Sequence, residues 1–288
     1  MSTAKYCGRP FSDAELSEIR TIIDAEDHPN RAEISRRVCC RLQWLRPDGR
    51  LKDMSCRVAL LRMHRERLIQ LPPPVKGNGN GRRGKRITPR SDPGSPVLES
   101  AGNLPDLQLR RVEAKEDSSL WNEYVHRYHY LGYQPLPGAQ TRYVVLSGDR
   151  ILALLGFGAA AWKTAPRDRW IGWNADQRKH NLHLVVNNAR FLILPWVQSR
   201  NLASKILSMV AHRLPDDWER SYSCRPVLLE TFVQKDRFAG TCYKAANWTY
   251  LGDTRGRGKL DVKHRNAVPV KAVFTYPLRP DFRRDLAH

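Results

Sequence analysis

The clearest alternation of apolar and polar positions lies between Val185 and Leu214. An apolar run, Phe191 to Leu194, is closed by Pro195 and predicts a buried strand. After a short loop, Trp196 to Arg200, the residues Leu202, Ile206, Met209, Val210 and Leu214 recur at helical spacing. A strand that passes through a tight loop into a helix start leaves backbone N–H groups facing one point. The helix dipole adds partial positive charge there, which suits a phosphate. The same pattern also fits a plain connection that binds nothing.

The N-terminal pattern is purely helical. Ser12 with Glu15 three positions later forms a capping box ahead of Leu16, Ile19, Ile22 and Ile23. Asn30 and Glu33 open a second helix, Arg31 to Leu42, with Ile34, Val38 and Leu42 inward. After the turn Pro47-Asp48-Gly49, a third helix spans Asp53 to Arg67 with Met54, Val58, Leu61 and Leu68 on one side. Arg57, Arg62, Arg65 and Arg67 fill much of the rest. Three short helices with a basic third one predict a helix-turn-helix or winged-helix module over residues 1–75, the third helix entering the major groove of DNA. An ordinary bundle with solvated arginines fits the same residues.

Residues 76–105 read as a linker. Pro72 to Pro74 stop the last helix, and KGNGNGRRGKR mixes glycine with positive charge before Pro89, Pro93 and Pro96. From Leu107 strands and helices alternate. LQLRRV is strand-like, Ser118 to Tyr128 is helical, and Tyr143–Leu146 and Ile151–Phe157 flank the hairpin signal Ser147-Gly148-Asp149-Arg150. A polar, Trp-rich insert covers Ala160 to Asn181. Pro226 to Val233 is a further buried strand, Phe238 to Ala246 a short helix, and Trp248–Gly252 and Lys271–Tyr276 closing strands. Residues 106–288 are thus expected to form one mixed α/β domain.

Charge narrows the partners. Lys and Arg number 49 against 29 acidic residues, a net charge of +20, while the hydrophobic fraction of 41% allows a real core. Nucleic acid, duplex DNA first, is the expected partner. Arg57 and Arg62 on the third helix, Arg82, Arg83, Lys85 and Arg86 in the linker, Arg167 and Arg169 in the insert, and Arg255, Arg257 and Lys259 in a basic glycine loop are the candidate contacts. No apolar stretch reaches the length of a membrane span, so no membrane partner is expected. The six cysteines include no C-x-x-C pair, and the first residues lack the apolar core of a signal peptide. Reduced thiols in the cytoplasm follow. Asp168, Asp176, His180, His183, Glu230 and Asp236 match no metal motif, and no metal is assigned.

Gln198-x-x-Asn201-x-Ala203 resembles the Arg/Gln-x-x-Gly-x-Gly/Ala loop of the GCN5-related acetyltransferase fold, with Asn201 where that family has glycine. The resemblance implies an acetyltransferase-like sheet and a cradle for the pyrophosphate of coenzyme A at Gln198, Asn201 and Ala203. Thr241 to Gly252 resembles the segment in which that family holds a general-acid tyrosine, here Tyr243. Glu230 on the preceding strand becomes the candidate general base, facing the same cleft. The chain also resembles the DUF4338 family of the Druantia anti-phage systems. The blocks His129–Gly132, Ile171–Trp173, Asn188–Pro195, Asn201–Ser204, Glu230–Val233, Gly240–Tyr243 and Gly252–Gly258 carry that likeness. It implies phage defence or carriage with transposons, with other defence or transposon proteins as partners, and leaves the cofactor unassigned. Three functions stay open: a DNA-binding defence or mobile-element protein, an acyl- or aminoacyl-transferase, and a metal-dependent nuclease.

Overall fold

The structure, a computed structural model, describes residues 4–27, 29–74, 87–256 and 268–288. The chain divides into two compact units, Met1–Gly84 and Lys85–His288.

In the first unit a small antiparallel hairpin, β1 (Ala4–Tyr6) and β2 (Arg9–Phe11), precedes three helices, α1 (Asp13–Ile23), α2 (Arg31–Arg41) and α3 (Asp53–Arg65). The capping box at Ser12 and the Asn30 cap both form, each side chain accepting from first-turn N–H groups. Phe11, Ile19, Ile34, Val38, Leu60 and Met63 make the core. Helix α3 is turned from the expected orientation. Cys56, Ala59, Leu60 and Met63 are buried, whereas Met54 and Val58 are 58% and 40% exposed. Cys56 and Ala59 on the buried face suit close approach to α2, and Leu60 and Met63 fill the core beside them. The connection from α2 to α3, residues 42–52, is closed by a β-bridge between Leu45 and Leu51. It is longer than the three- or four-residue turn of a compact helix-turn-helix.

The second unit is built on a seven-stranded mixed sheet in the order β3-β4-β5-β6-β7-β9-β8. Its elements in chain order are β3 (Leu107–Arg111), α4 (Lys115–Tyr128), β4 (Gln140–Ser147) and β5 (Arg150–Ala159). The insert forms α5 (Ala165–Ile171) and α6 (Ala175–Asn181). Then come β6 (Val185–Ile193), α7 (Leu202–Tyr222), β7 (Leu228–Gln234) and α8 (Thr241–Ala245). The chain closes with β8 (Thr249–Asp253), β9 (Lys271–Pro277) and α9 (Phe282–Leu286). All neighbours are antiparallel except β6 and β7, which α7 joins in parallel. The mixed α/β class read from the sequence is the observed one.

Helix α7 continues past the last expected apolar position, through Pro215 to Tyr222. The reason lies across the sheet. Asp217, 1% exposed, accepts a 2.9 Å bond from the Tyr143 hydroxyl, and Trp218 is buried beside it. These contacts reward a helix that Pro215, lacking an N–H, would otherwise weaken.

The expected linker ends sooner than the sequence suggested. From residue 87 the chain lies on the α/β unit. Glu123 accepts from the Thr88 N–H and from Ser91 Oγ at 2.6 Å, and Tyr124 and Tyr128 donate to the carbonyls of Arg90 and Ser91. Val97 forms a parallel bridge with Val197, and Val97, Ala101 and Leu104 belong to the main core. Proline-rich segments read as tethers by composition, but isolated apolar residues suffice to dock one on a preformed surface. A fragment beginning at 87 should melt cooperatively by circular dichroism. One beginning at 106 should lose roughly 1.5–3 kcal/mol for each of Val97 and Leu104. Equal melting of the two fragments would show the segment to be a tether.

Candidate functional site

Strands β6 and β7 pair only from Val185↔Leu228 to Asn188↔Thr231. Beyond that point each keeps its outer partner, β6 with β5 and β7 with β9, and the two diverge. A bulge drives the divergence. Asn188 and Arg190 oppose the adjacent residues Phe157 and Gly156 of β5, leaving Ala189 extra, and a bulged strand bends. The fork opens a cavity of about 650 Å³, lined among others by His129, Tyr130, Asn188, Arg190, Arg237 and Tyr243.

A hydrogen-bond knot sits where the strands part. The Tyr243 hydroxyl donates to Asn188 Oδ1 at 2.7 Å, and Thr231 Oγ1 donates to the Asn188 carbonyl at 3.0 Å. Asn188 Nδ2 donates in turn to the Arg190 carbonyl at 3.1 Å. Side chains thus satisfy backbone groups that a continued ladder would have paired. The Tyr243 ring lies between Phe274 and Trp248, with centroids 5.8 and 5.1 Å away. Burial pushes its hydroxyl pKa up, so the phenol keeps its proton. Gly240 starts the turn into α8 at φ 69°, and a Cβ there would fall 2.8 Å from the Phe274 ring. Both constraints demand glycine.

Glu230 does not share this cleft. Adjacent strand residues face opposite sides of a sheet, so Thr231 at the knot sends Glu230 to the other face. There its carboxylate, fully buried, accepts from the Ala161 N–H and from Arg167 Nη1, each at 2.7 Å. Burial pushes the Glu230 carboxyl up, and the Arg167 guanidinium opposes that shift. Arg167 also donates to Asp168, which accepts from Trp173 Nε1 at 3.1 Å. Glu230 therefore ties the insert to the sheet. Arg167, 0% exposed and doubly paired, is no nucleic-acid contact in this fold. A lone cation in a polar insert reads as a surface charge until its buried partner strand is known.

The loop before α7 keeps part of its expected character. Asn201 has the left-handed backbone, φ 62°, and makes no side-chain cap. The N–H groups of Ser199, Arg200, Asn201, Ala203 and Ser204 find no backbone acceptor among the described residues. The Gln198 side chain is exposed, and its N–H is taken by the Val97 carbonyl at 2.8 Å. The remaining free amides at the start of α7 fit a pyrophosphate, with Ala203 in the first turn.

Of the other candidate contacts, Arg62, Arg169 and Arg255 are exposed, while Arg57 is half-buried and bonded to Ser35 and Asp53. Arg82, Arg83, Lys85, Arg86, Arg257 and Lys259 lie outside the described residues. Among the described residues no three His, Cys, Asp or Glu side chains gather as metal ligands, and no helix is long and apolar enough to cross a membrane.

The sequence reading overlooked His129, Tyr130 and Arg190 as site residues. Arg190 had a usable signal, a cation within the apolar strand that ends Phe191 to Leu194. His129 Nδ1 accepts from the Leu131 N–H at 3.2 Å, which places the proton of the neutral ring on Nε2. Burial, with the Arg190 guanidinium nearby, lowers His129 to about 4.

A family model described as Druantia protein DruA matches residues 62–278. The chain belongs to the DruA family. No curated protein matches it. Among solved structures, an aminoglycoside acetyltransferase bound to coenzyme A and kanamycin is 14% identical, covering 62% of this chain and 98% of its own, with a TM-score of 0.42. A spermidine N-acetyltransferase chimera of Vibrio cholerae and human-type sequences, 12% identical, covers 60% and 95% with a TM-score of 0.39. A polyamine N-acetyltransferase of Drosophila melanogaster, 15% identical, covers 60% and 100% with a TM-score of 0.38. The mixed sheet of this family member, with one parallel pair joined by a long helix, is read from its own strand order.

Replacing Glu230 by Gln should lower stability by about 1.5–3 kcal/mol, because the buried Arg167 would keep only Asp168 as a charged partner. Urea unfolding checks this, and unchanged stability would return Glu230 to the list of chemical groups. His129 yields a pH prediction. Its folded pKa lies below the unfolded value of about 6.5, so its stabilisation is complete above about 6.5 and is lost as pH falls toward 4. The loss should approach about 3 kcal/mol. Unfolding titrations from about pH 7.5 to about pH 4 should show that slope in the wild type and not in His129→Gln.

Proposed function

We propose that this protein is a DNA-binding component of anti-phage defence, docking on duplex DNA through α3. The observation that carries the reading is the pairing of arginines in the first unit. On α2, Arg36, Arg37 and Arg41 are held by Glu33, Asp27 and Glu18. On α3, Arg62 and Arg65 are exposed and make no ion pair among the described residues, beside the exposed Met54 and Val58. Three of the four α2 arginines are thus ion-paired and Arg31 donates to the Pro72 carbonyl, while α3 leaves Arg62 and Arg65 unpaired among the described residues on a partly apolar face. That combination suits phosphate contacts flanking apolar contact with base methyl groups. The net charge of +20 and the family's place in Druantia systems point the same way.

A second reading is acyl transfer to an acceptor, favoured by the left-handed Asn201 and the open amides before α7. Those amides would hold the pyrophosphate of an acyl-coenzyme A, whose thioester would supply the activated acyl group when bound. Tyr243, which keeps its proton and donates it to Asn188, lies at the cleft where the resemblance places a general acid. A thermal shift with coenzyme A, together with thiol release from acetyl-coenzyme A, tests this reading. A null result in both removes it.

Duplex binding by the full chain should fall steeply with salt. Arg62→Ala with Arg65→Ala should weaken it and reduce the salt slope by about 0.9 for each phosphate contact removed, with helicity kept. Equal affinities and slopes for wild type and double variant in anisotropy titrations would remove α3 as the docking element.

A further inference from the structure

The cavity at the fork combines two features that folding alone does not call for. The first is charge. Arg190, Arg237 and Lys271 line it, and no carboxylate does. Arg190 is half-buried, its Nη1 donates to the Ala189 carbonyl of its own strand at 2.7 Å, and its Nε is buried without an acceptor. Burial lowers the Arg190 pKa, so the protein bears the cost of a desolvated cation with no anion beside it. Asp236, on the turn after β7, accepts from Gln234 and acts on Tyr130 electrostatically, but it is not part of the lining.

The second feature is aromatic. Tyr130 and Phe238 stand at the cavity 37% and 48% exposed, with centroids 5.2 Å apart. The Arg237 guanidinium lies over the Tyr130 ring at 5.4 Å and His129 stacks on it at 4.8 Å, so Tyr130 is held by its neighbours and Phe238 offers the freer ring. Exposed rings interleaved with cations are the usual platform for a base and its phosphate. A cavity of about 650 Å³ matches the volume of one nucleotide and not of a duplex segment, so it suits a base of a single strand or one drawn out of a helix.

We propose that the fork is a pocket for a single unpaired nucleotide of DNA, its base on Phe238, which Tyr130 braces edge-on, and its phosphate on Arg190 and Arg237. The cavity of about 650 Å³ is of the size that encloses one small ligand. The proposal rests on the reading of this protein as DNA-binding and assigns the α/β unit its part in it. His129, neutral with its proton on Nε2, adds a donor without adding charge.

The test uses the full chain and a single-stranded oligonucleotide carrying a central 2-aminopurine, whose emission falls when the base stacks on an aromatic ring. Wild type should quench the probe and raise its anisotropy. Phe238→Ala should remove the quench, and Arg190→Gln with Arg237→Gln should weaken binding about tenfold or more. Phe238 is largely exposed, so its variant should keep the wild-type melting temperature, which separates loss of binding from loss of fold. Wild-type protein that binds duplex DNA yet leaves 2-aminopurine emission unchanged overturns the pocket and leaves α3 docking intact. Quenching without duplex affinity supports the pocket and overturns only the α3 reading. Displacement of the oligonucleotide by acetyl-coenzyme A and not by unlabelled single strand assigns the cleft to an acyl carrier and overturns the proposal.

Discussion

Two paired strands that part inside a sheet leave peptide groups facing an opening, and those groups must find partners. Here the bulge at Ala189 bends β6 away from β7, and the Asn188–Thr231–Tyr243 knot closes the gap at its root. The site depends on this. Tyr243 reaches Asn188 because Gly240 lets α8 start against Phe274, and Arg190 enters the cavity because its strand has left its neighbour. Without the bulge the ladder would continue, and the cavity would be filled by ordinary pairing.

The opposite face of the same strands is dry. Glu230 and Arg167 are both wholly buried, and their charges are met by each other, by the Ala161 N–H and by Asp168. A buried pair of this kind contributes little net stability compared with an apolar substitute, but it tolerates only one arrangement of its partners. It therefore fixes α5 against the sheet. Trp173 joins through its indole N–H, and Arg167 lies 5.4 Å from its ring centroid. Trp-rich and basic, the insert has the composition of a nucleic-acid surface, yet half of its chemistry is turned inward to hold itself in place.

The two faces of β7 divide the work between adjacent residues. Thr231 belongs to the fork and Glu230 to the lock. In the first unit a similar division is made between adjacent helices, since carboxylates pair Arg36, Arg37 and Arg41 of α2 and leave Arg62 and Arg65 of α3 unpaired among the described residues. Net charge reports the total of such cations. Pairing decides which of them remain available to a partner.

Much of the fold was legible in the sequence because local rules carry it. Ser12 with Glu15 and Asn30 with Glu33 marked helix starts, and Ser147 to Arg150 marked the hairpin. The run ending at Leu194 marked the central strand, and alternating elements gave the mixed α/β class. Local rules failed where the deciding partner was distant. Val97 and Leu104 dock a segment that composition presents as linker, and Asp217 extends α7 by meeting Tyr143 across the sheet. Met54 and Val58 face solvent because α3 packs its Cys56, Ala59, Leu60 and Met63 face inward. The candidate site divided in the same way. The sequence by itself determined that Tyr243 and the Asn201 loop lie on the elements that follow the two central strands. Only the tertiary structure decided that Glu230 and Tyr243 stand on opposite faces and that Arg190 lines the cavity. The physical reason is that a strand's two faces alternate residue by residue, so the facing of each side chain depends on a register and a bulge set by its neighbours.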